Sequence, residues 1–134
     1  MTNAVEITQK LIRFPTVNPP GKEEAAQTYL QTLLEDAGFS VERIYAEPER
    51  PNLITRLKGR GERAPLLFYG HTDVVGVEGQ TWQMPPFAGQ EHQGMLYGRG
   101  ALDMKAGVAM LVSSLLQAKA KGVVDWRHRT CACG

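Results

Sequence analysis

The sequence predicts an α/β domain in which a mixed sheet is flanked by helices. The main observation is the apolar run 66–69, which is too short for a helix, begins after Pro65 and ends at Gly70. Such a run is typical of a strand that is buried on both faces of a sheet. The segment 22–37 spaces its apolar residues three and four positions apart, as an amphipathic helix does, and 104–121 predicts a second long helix.

The first half of the chain predicts two helices and two strands. Residues 3–14 have the apolar spacing of an amphipathic helix, and 22–37 that of a longer one. Between these helices, 14–21 contains three prolines and a glycine, which predicts a loop. Strands are predicted at 41–46 and 53–57, with a turn-rich segment between them.

The second half predicts the central strand, a hairpin and a long final helix. The hairpin has 93–94 as its turn and 95–97 as its returning strand. It leads through the glycine-rich segment 98–100 to the helix at 104–121. Because that helix is apolar around most of its circumference, we expect it to pack deeply.

Composition and charge exclude several classes of protein. With 134 residues, 43% of them hydrophobic, the chain has the size of one domain with a core of its own. Its net charge of +1 favours neither a nucleic acid nor a membrane surface as partner. No secretory signal and no run near the roughly 20 apolar residues of a membrane span is visible. The two cysteines, Cys131 and Cys133, cannot staple the fold, so a cytoplasmic protein is expected.

Two groups of residues are suited to chemistry. His71 and Asp73 follow the central strand, and ligands of such sheets bind just beyond the carboxyl ends of the strands. Positions 71 and 73 face the same side of an extended chain, so the carboxylate can orient the imidazole as a metal ligand. Asp103 follows the loop and hairpin, which can bring it back beside them. A histidine and a bridging carboxylate suit a hydrolytic site with one or two metal ions.

The same residues also have simpler structural interpretations. A His-x-Asp pair is more often a local hydrogen bond than a metal site, and Asp103 stands where a helix N-cap belongs. The segment 98–100 imitates a dinucleotide-binding loop, but the carboxylate of Asp103 would repel a pyrophosphate. His128, Cys131 and Cys133 are chemically able to bind a metal, yet they lack the paired spacing of a structural zinc site.

Four motifs occur in one order along the chain and together carry a family resemblance. They are Phe14-Pro-Thr-Val-Asn-Pro-Pro-Gly21, Gly70-His-Thr-Asp-Val-Val75, Trp82 with Pro86-Phe87, and Leu96-Tyr-Gly-Arg-Gly-Ala-Leu-Asp-Met-Lys105. The sequence resembles the metallopeptidase family that contains acetylornithine deacetylase, succinyl-diaminopimelate desuccinylase, aminoacylase and carboxypeptidase G. The likeness covers about residues 3–122. It divides the chain into the N-terminal part of a hydrolase catalytic domain at 1–122 and a non-family C-terminal tail at 123–134.

The resemblance implies a role for each site residue. It makes His71 a ligand of one metal ion and Asp103 the carboxylate that bridges two. Asp73 would serve catalysis by holding the His71 ring in the tautomer that binds metal. Zinc is the first choice of ion, and cobalt or manganese also suit such mixed sites. The resemblance further implies a di-metal exopeptidase-type fold, a cis peptide bond after Asp103, and a homodimer as the assembly of the complete enzyme.

The implied reaction is the hydrolysis of an amide bond in an N-acyl amino acid or small peptide. In the family, the next strand ends in a glutamate base beside a metal-binding acidic residue, and nothing after Gly122 matches that pair. We therefore expect an incomplete hydrolase that is inactive alone and has an unpaired, apolar sheet edge. The alternative is a non-catalytic truncated fragment or interaction module.

Overall fold

The computed structural model describes residues 3–59, 64–122 and 131–133. These residues form an α/β fold in which a mixed sheet is flanked by helices, as predicted. The helices and strands are α1 (Ala4–Ile12), α2 (Glu24–Asp36), β1 (Val41–Glu47), β2 (Arg50–Thr55), β3 (Phe68–Gly70), β4 (Gln90–His92), β5 (Met95–Tyr97), α3 (Ala106–Ala120) and β6 (Cys131–Cys133). An irregular turn at Ala101–Lys105 precedes α3.

The described strands form a four-stranded sheet in the order β1-β2-β6-β3 and a separate hairpin, β4-β5. β1 and β2 are antiparallel, with Val41 opposite Thr55. Their turn is shorter than predicted, because β2 begins at Arg50 and Glu49 takes a positive φ of 61°. β6 runs antiparallel to β2 and parallel to β3, with Gly70 opposite Cys133. The tail boundary at residue 122 stays a prediction, since 123–130 lie outside the described residues.

The helices pack their apolar faces into one core against the sheet. Asn3 starts α1 with a capping box, in which its side chain accepts from the Glu6 backbone and the Glu6 carboxylate accepts from the Asn3 backbone. The segment Ala101–Ala120 is apolar and long enough to cross a membrane by those two criteria alone. Its buried face belongs to the core of this domain. The core residues are Ile7, Leu11, Ala26, Leu30, Leu34, Phe39, Leu53, Val108, Ala109, Val112 and Leu116.

The prediction that the central strand is buried on both faces is wrong. Phe68 is 40% exposed and Tyr69 is 78% exposed. The reason is the position of β3 at the end of the described sheet, where β6 is its one neighbour among the described strands. A short apolar run does not distinguish a central strand from an edge strand, because both present the same side chains. The expected apolar sheet edge is therefore present in the described part of the chain.

This edge leads to a prediction about self-association. An exposed apolar edge strand is a template for pairing with another chain. We expect the chain to associate at micromolar concentration and the double variant Leu67→Lys/Tyr69→Lys to have a larger monomer fraction, because lysine on an edge strand opposes pairing. Light scattering coupled to size-exclusion chromatography measures both. Val5→Lys, at an exposed position of α1, is the matched control and should change nothing; a monomeric unsubstituted chain would contradict the prediction.

Candidate active site

The predicted site residues line one open cavity of about 370 Å³ at the carboxyl end of β3. His71 and Asp73 come from the segment directly after the strand. Asp103 comes from the irregular turn before α3, and Gly100 lies on the same wall. The loop and hairpin between positions 73 and 103 therefore bring Asp103 back to the carboxyl end of β3, as the sequence predicted.

Asp73 holds the His71 ring through two oxygens. The Nδ1 atom of His71 lies 2.9 Å from Oδ1 of Asp73 and 3.1 Å from the backbone oxygen of Asp73. Both oxygens are acceptors, so the hydrogen-bond network assigns the proton of the neutral ring to Nδ1. The lone pair is then on Nε2, which is the tautomer that binds a metal through Nε2.

Asp103 faces that lone pair instead of capping the helix. Its Oδ1 lies 3.3 Å from Nε2 of His71, and its side chain is 88% exposed. No side-chain hydrogen bond caps α3 or the turn before it, so the interpretation of Asp103 as an N-cap is wrong. Asp103 has an extended backbone, with φ −120° and ψ 100°, and Met104 is also non-helical, with φ −135° and ψ 33°. The peptide bond between them is cis, as the resemblance implied.

The His71–Asp103 separation fits two ligands of one metal ion. Zinc binds nitrogen and oxygen at about 2.0–2.1 Å in tetrahedral sites, which places two of its ligands about 3.3 Å apart. Among the described residues, no group of three or more histidine, cysteine, aspartate or glutamate side chains converges on one point. The described part of the chain thus supplies two donors, fewer than the three of a typical catalytic zinc site. The side chains of His128, Cys131 and Cys133 lie outside it.

The other carboxylate oxygen of Asp73 is also engaged. Asn18 donates from Nδ2 to Oδ2 of Asp73 at 2.9 Å, and the Arg50 guanidinium lies 3.9 Å from the same oxygen. Arg50 in turn donates to both oxygens of the buried Glu23, at 3.1 and 3.2 Å. The Glu23 hydrogen bond and charge raise the pKa of Arg50. The sequence interpretation assigned no site role to these three residues, which lie far from Asp73 along the chain.

The predicted loop at 14–21 is fixed against the site by its backbone. The Val74 amide donates to the Thr16 oxygen at 2.9 Å, and the Asn18 amide donates to the Val74 oxygen at 2.8 Å. Thr16 also donates from its hydroxyl to the Thr72 oxygen. Thr72 is fully buried beneath the site and accepts from the Gln27 side chain at 3.1 Å. The loop is therefore a wall of the site and not only a connection between helices.

Lys105, the last residue of the turn that carries Asp103, is a buried cation. Its Nζ donates to the backbone oxygens of Leu11 and Phe14, at 3.0 and 2.7 Å, near the end of α1. Burial lowers the pKa of Lys105 to about 8, and the nearby Asp73 charge opposes part of that shift. The sequence indicates this burial, because Lys105 precedes Val108 and Val112 by three and seven positions. At helical spacing these positions share one face, and Val108 and Val112 are buried.

The lowered pKa predicts how stability changes in alkaline solution. The folded pKa of Lys105 lies below the unfolded one, so between pH 8 and about 10.5 the unfolded state binds more protons. Below pH 8 the buried Lys105 side chain is charged in the folded protein, and the full cost of burying that charge lowers stability. As the pH rises from 8 to about 10.5 this cost is relieved, so the free energy of unfolding increases. We expect a gain of about 1.5 kcal/mol in the free energy of unfolding between pH ~8 and ~9.5 from this group.

Urea denaturation at several pH values measures that slope. Lys105→Met should remove it, whatever its effect on stability at neutral pH. Lys121→Met, at an exposed lysine, is the control and should keep it. Equal slopes in all three proteins would contradict the prediction.

Comparisons with known proteins agree with the family resemblance. Residues 67–127 match the sequence profile of Peptidase family M20/M25/M40. Succinyl-diaminopimelate desuccinylase from Methylobacterium radiotolerans is 44% identical over 118 residues, which is 84% of this chain and 29% of that protein. The enzyme of the same name from Rhodopseudomonas palustris is 42% identical over 119 residues, 87% of this chain and 30% of that protein. The chain thus spans about 30% of the length of these curated relatives.

Solved structures share the fold. Human carnosine dipeptidase 1 superposes with a TM-score of 0.82 at 20% identity, over 97% of this chain and 31% of that one. The M20 family metallo-carboxypeptidase Sso-CP2 from Sulfolobus solfataricus also has a TM-score of 0.82, at 18% identity, over 99% of this chain and 30% of that one. A peptidase from Bacillus subtilis, described as a dinuclear metal binding peptidase from the M20 family, matches with a TM-score of 0.60 at 17% identity, over 97% and 33% of the two chains.

Proposed function

The chain belongs to Peptidase family M20/M25/M40, and from that premise we propose that it supplies the N-terminal part of the catalytic domain of a metal-dependent amide hydrolase. The substrate class we propose is an N-acyl amino acid or a small peptide. The names of the relatives support it, since they include a desuccinylase and peptidases. We propose the cytoplasm as the location of this enzyme and a homodimer as the assembly of the complete protein.

The observation that carries this proposal is the pair of acceptors at 71 and 103. With its Nδ1 proton donated to Asp73, His71 directs a lone pair at a carboxylate oxygen of Asp103 only 3.3 Å away. Two acceptors that face each other at this distance can share one cation, and the hydrolase proposal places a metal ion there. The exposure of Asp103 leaves its second oxygen open for another ion. His71 and Asp103 chemically suit zinc, and also cobalt or manganese.

Each residue then has a defined task. His71 would hold one metal ion through Nε2, Asp103 would share that ion and hold a second one, and Asp73 would keep the His71 ring in place. When bound, paired metal ions polarise the amide carbonyl and make water nucleophilic at neutral pH. The described residues hold only part of the ligand set, so we expect weak metal binding and no turnover from this chain alone.

The competing proposal is an interaction module without catalysis. The exposed apolar side chains of β3 favour it, because they form a surface on which another chain could pair. The two proposals differ in what they require at the cavity. The hydrolase requires a cation at His71 and Asp103, whereas the module requires none.

Cobalt titration separates them. The measurement uses a Cys131→Ser/Cys133→Ser background, since thiolates are competing ligands. We expect saturable binding, which His71→Gln and Asp103→Asn should each weaken by at least about 10-fold. Hydrolysis of N-succinyl amino acids and dipeptides, with and without added zinc or cobalt, is assayed in parallel. Binding that neither substitution changes would refute the hydrolase proposal.

A further inference from the structure

The two oxygens of the Asp73 carboxylate have different partners. Oδ1 faces Nδ1 of His71 at 2.9 Å, and Oδ2 accepts from the side-chain amide of Asn18, also at 2.9 Å. A carboxylate rotates easily about its last torsion angle, because that rotation has broad, two-fold minima. The orientation of the carboxylate therefore depends on what holds the oxygen that points away from His71.

We propose that Asn18 is a positioning residue that acts on His71 through Asp73. By fixing Oδ2, the Asn18 amide aims Oδ1 at Nδ1, and this in turn keeps the lone pair of Nε2 directed at Asp103. The spatial part of this inference stands on the hydrogen bonds alone. Its consequence for metal affinity rests on the proposed function.

A neutral donor suits this task better than a cation would. A cation hydrogen-bonded to Oδ2 would compete with the imidazole for the negative charge of Asp73. Among the described residues, the cation nearest to Oδ2 is Arg50, which lies 3.9 Å away, outside hydrogen-bond distance, and donates two hydrogen bonds to Glu23. That pairing offsets most of its charge. Asn18 thus orients the carboxylate and leaves its charge available for the hydrogen bond from Nδ1 of His71.

The backbone of Asn18 is attached independently of its side chain. Its amide donates to the Val74 oxygen at 2.8 Å, and Val74 donates to Thr16 at 2.9 Å. The parallel bridge between Val17 and Val74 continues this contact. A substitution that changes only the side chain at position 18 can therefore keep the loop in place, so the role of the amide can be tested apart from the fold.

A double-mutant cycle tests whether Asn18 acts through Asp73. Its variants are Asn18→Leu, which keeps the size and removes the donor, Asp73→Asn, and the double substitution, all in the full chain with Cys131→Ser and Cys133→Ser. One readout is the fraction of the Nδ1–H tautomer of neutral His71, from nitrogen-15 NMR. The other is the affinity for cobalt. The Val74 amide shift reports whether the loop is retained.

The expected result is coupling between the two positions. Asn18→Leu should lower the Nδ1–H fraction and weaken cobalt binding about 10-fold, at the lower end of the range for residues that support a metal ligand. In the Asp73→Asn background it should change cobalt affinity less than about 2-fold, because the carboxylate through which it acts is gone. Within each background, Asn18→Leu should leave the Val74 shift unchanged.

Two results would overturn the inference. One is a tautomer fraction and cobalt affinity that Asn18→Leu leaves unchanged. The other is an equal effect of Asn18→Leu in both backgrounds, which would mean that Asn18 acts through the loop. If cobalt does not bind at His71 in any variant, the proposed function fails, and the tautomer fractions across the same cycle still decide the inference.

Discussion

Gly100→Ala is expected to lower the free energy of unfolding by about 2–4 kcal/mol and to displace the turn that carries Asp103. Two effects add at this position. Gly100 has a φ of +81°, which an alanine adopts only with strain. A Cβ atom there would also lie 2.5 Å from Cγ1 of Val74 and 3.2 Å from Cδ of Lys105. Both neighbours are buried, so neither can move aside freely.

Gly94→Ala separates strain from crowding. Gly94 has nearly the same φ, +75°, in the hairpin turn, and nothing lies within 4 Å of the added Cβ. Gly94→Ala should lower the free energy of unfolding only by the cost of the strained backbone conformation, about 1 kcal/mol. Thermal and urea denaturation of both variants measure the difference. Equal losses in the two variants would mean that the contacts at Gly100 do not constrain the turn.

Thr72→Val is expected to lower the free energy of unfolding by about 2–3 kcal/mol, although it keeps the shape of the side chain. Thr72 is fully buried between the two site residues His71 and Asp73, and its hydroxyl accepts from the Gln27 amide at 3.1 Å. The Oε1 atom of Gln27 is buried and has no hydrogen-bond partner among the described residues. The valine would leave the rest of that amide without a partner as well.

The same substitution at an exposed threonine is the control. Thr32 lies on the outer face of α2 and donates only to the Thr28 backbone oxygen one turn earlier. Thr32→Val should change stability by less than about 0.5 kcal/mol. Urea denaturation measures both variants. If Thr72→Val is as mild as Thr32→Val, the polar contact beneath the site does not stabilise it.

The elements that local pattern determines could be predicted from the sequence. The spacing of apolar residues predicted a helix at 22–37, and α2 occupies Glu24–Asp36. The Gln93-Gly94 turn predicted the β4-β5 hairpin. His71 and Asp103 also meet, because the strand end and the helix start fall on the same edge of the sheet. The exposure of β3 could not be predicted, since the number of neighbouring strands depends on the whole sheet.

The supporting residues of the site were missed for a different reason. Asn18, Thr72 and Lys105 work through partners that are distant along the chain, such as Asp73 for Asn18 and Leu11 for Lys105. Single-sequence patterns report neighbours one or two turns away and not such pairs. Lys105 was missed although its position, three and seven residues before Val108 and Val112, indicates a buried side chain.

The most direct test of the central claim is nitrogen-15 NMR of the histidine side chains during addition of cobalt. The chain carries Cys131→Ser and Cys133→Ser, and His92, exposed on β4, serves as the internal reference. Because His71 and Asp103 converge on one cation, the His71 resonances should broaden first, while those of His92 stay sharp. In Asp103→Asn, at least about 10-fold more cobalt should be needed to broaden the His71 resonances to the same extent. Broadening of His71 that is unchanged in Asp103→Asn, or its absence in the parent chain, would contradict the shared site.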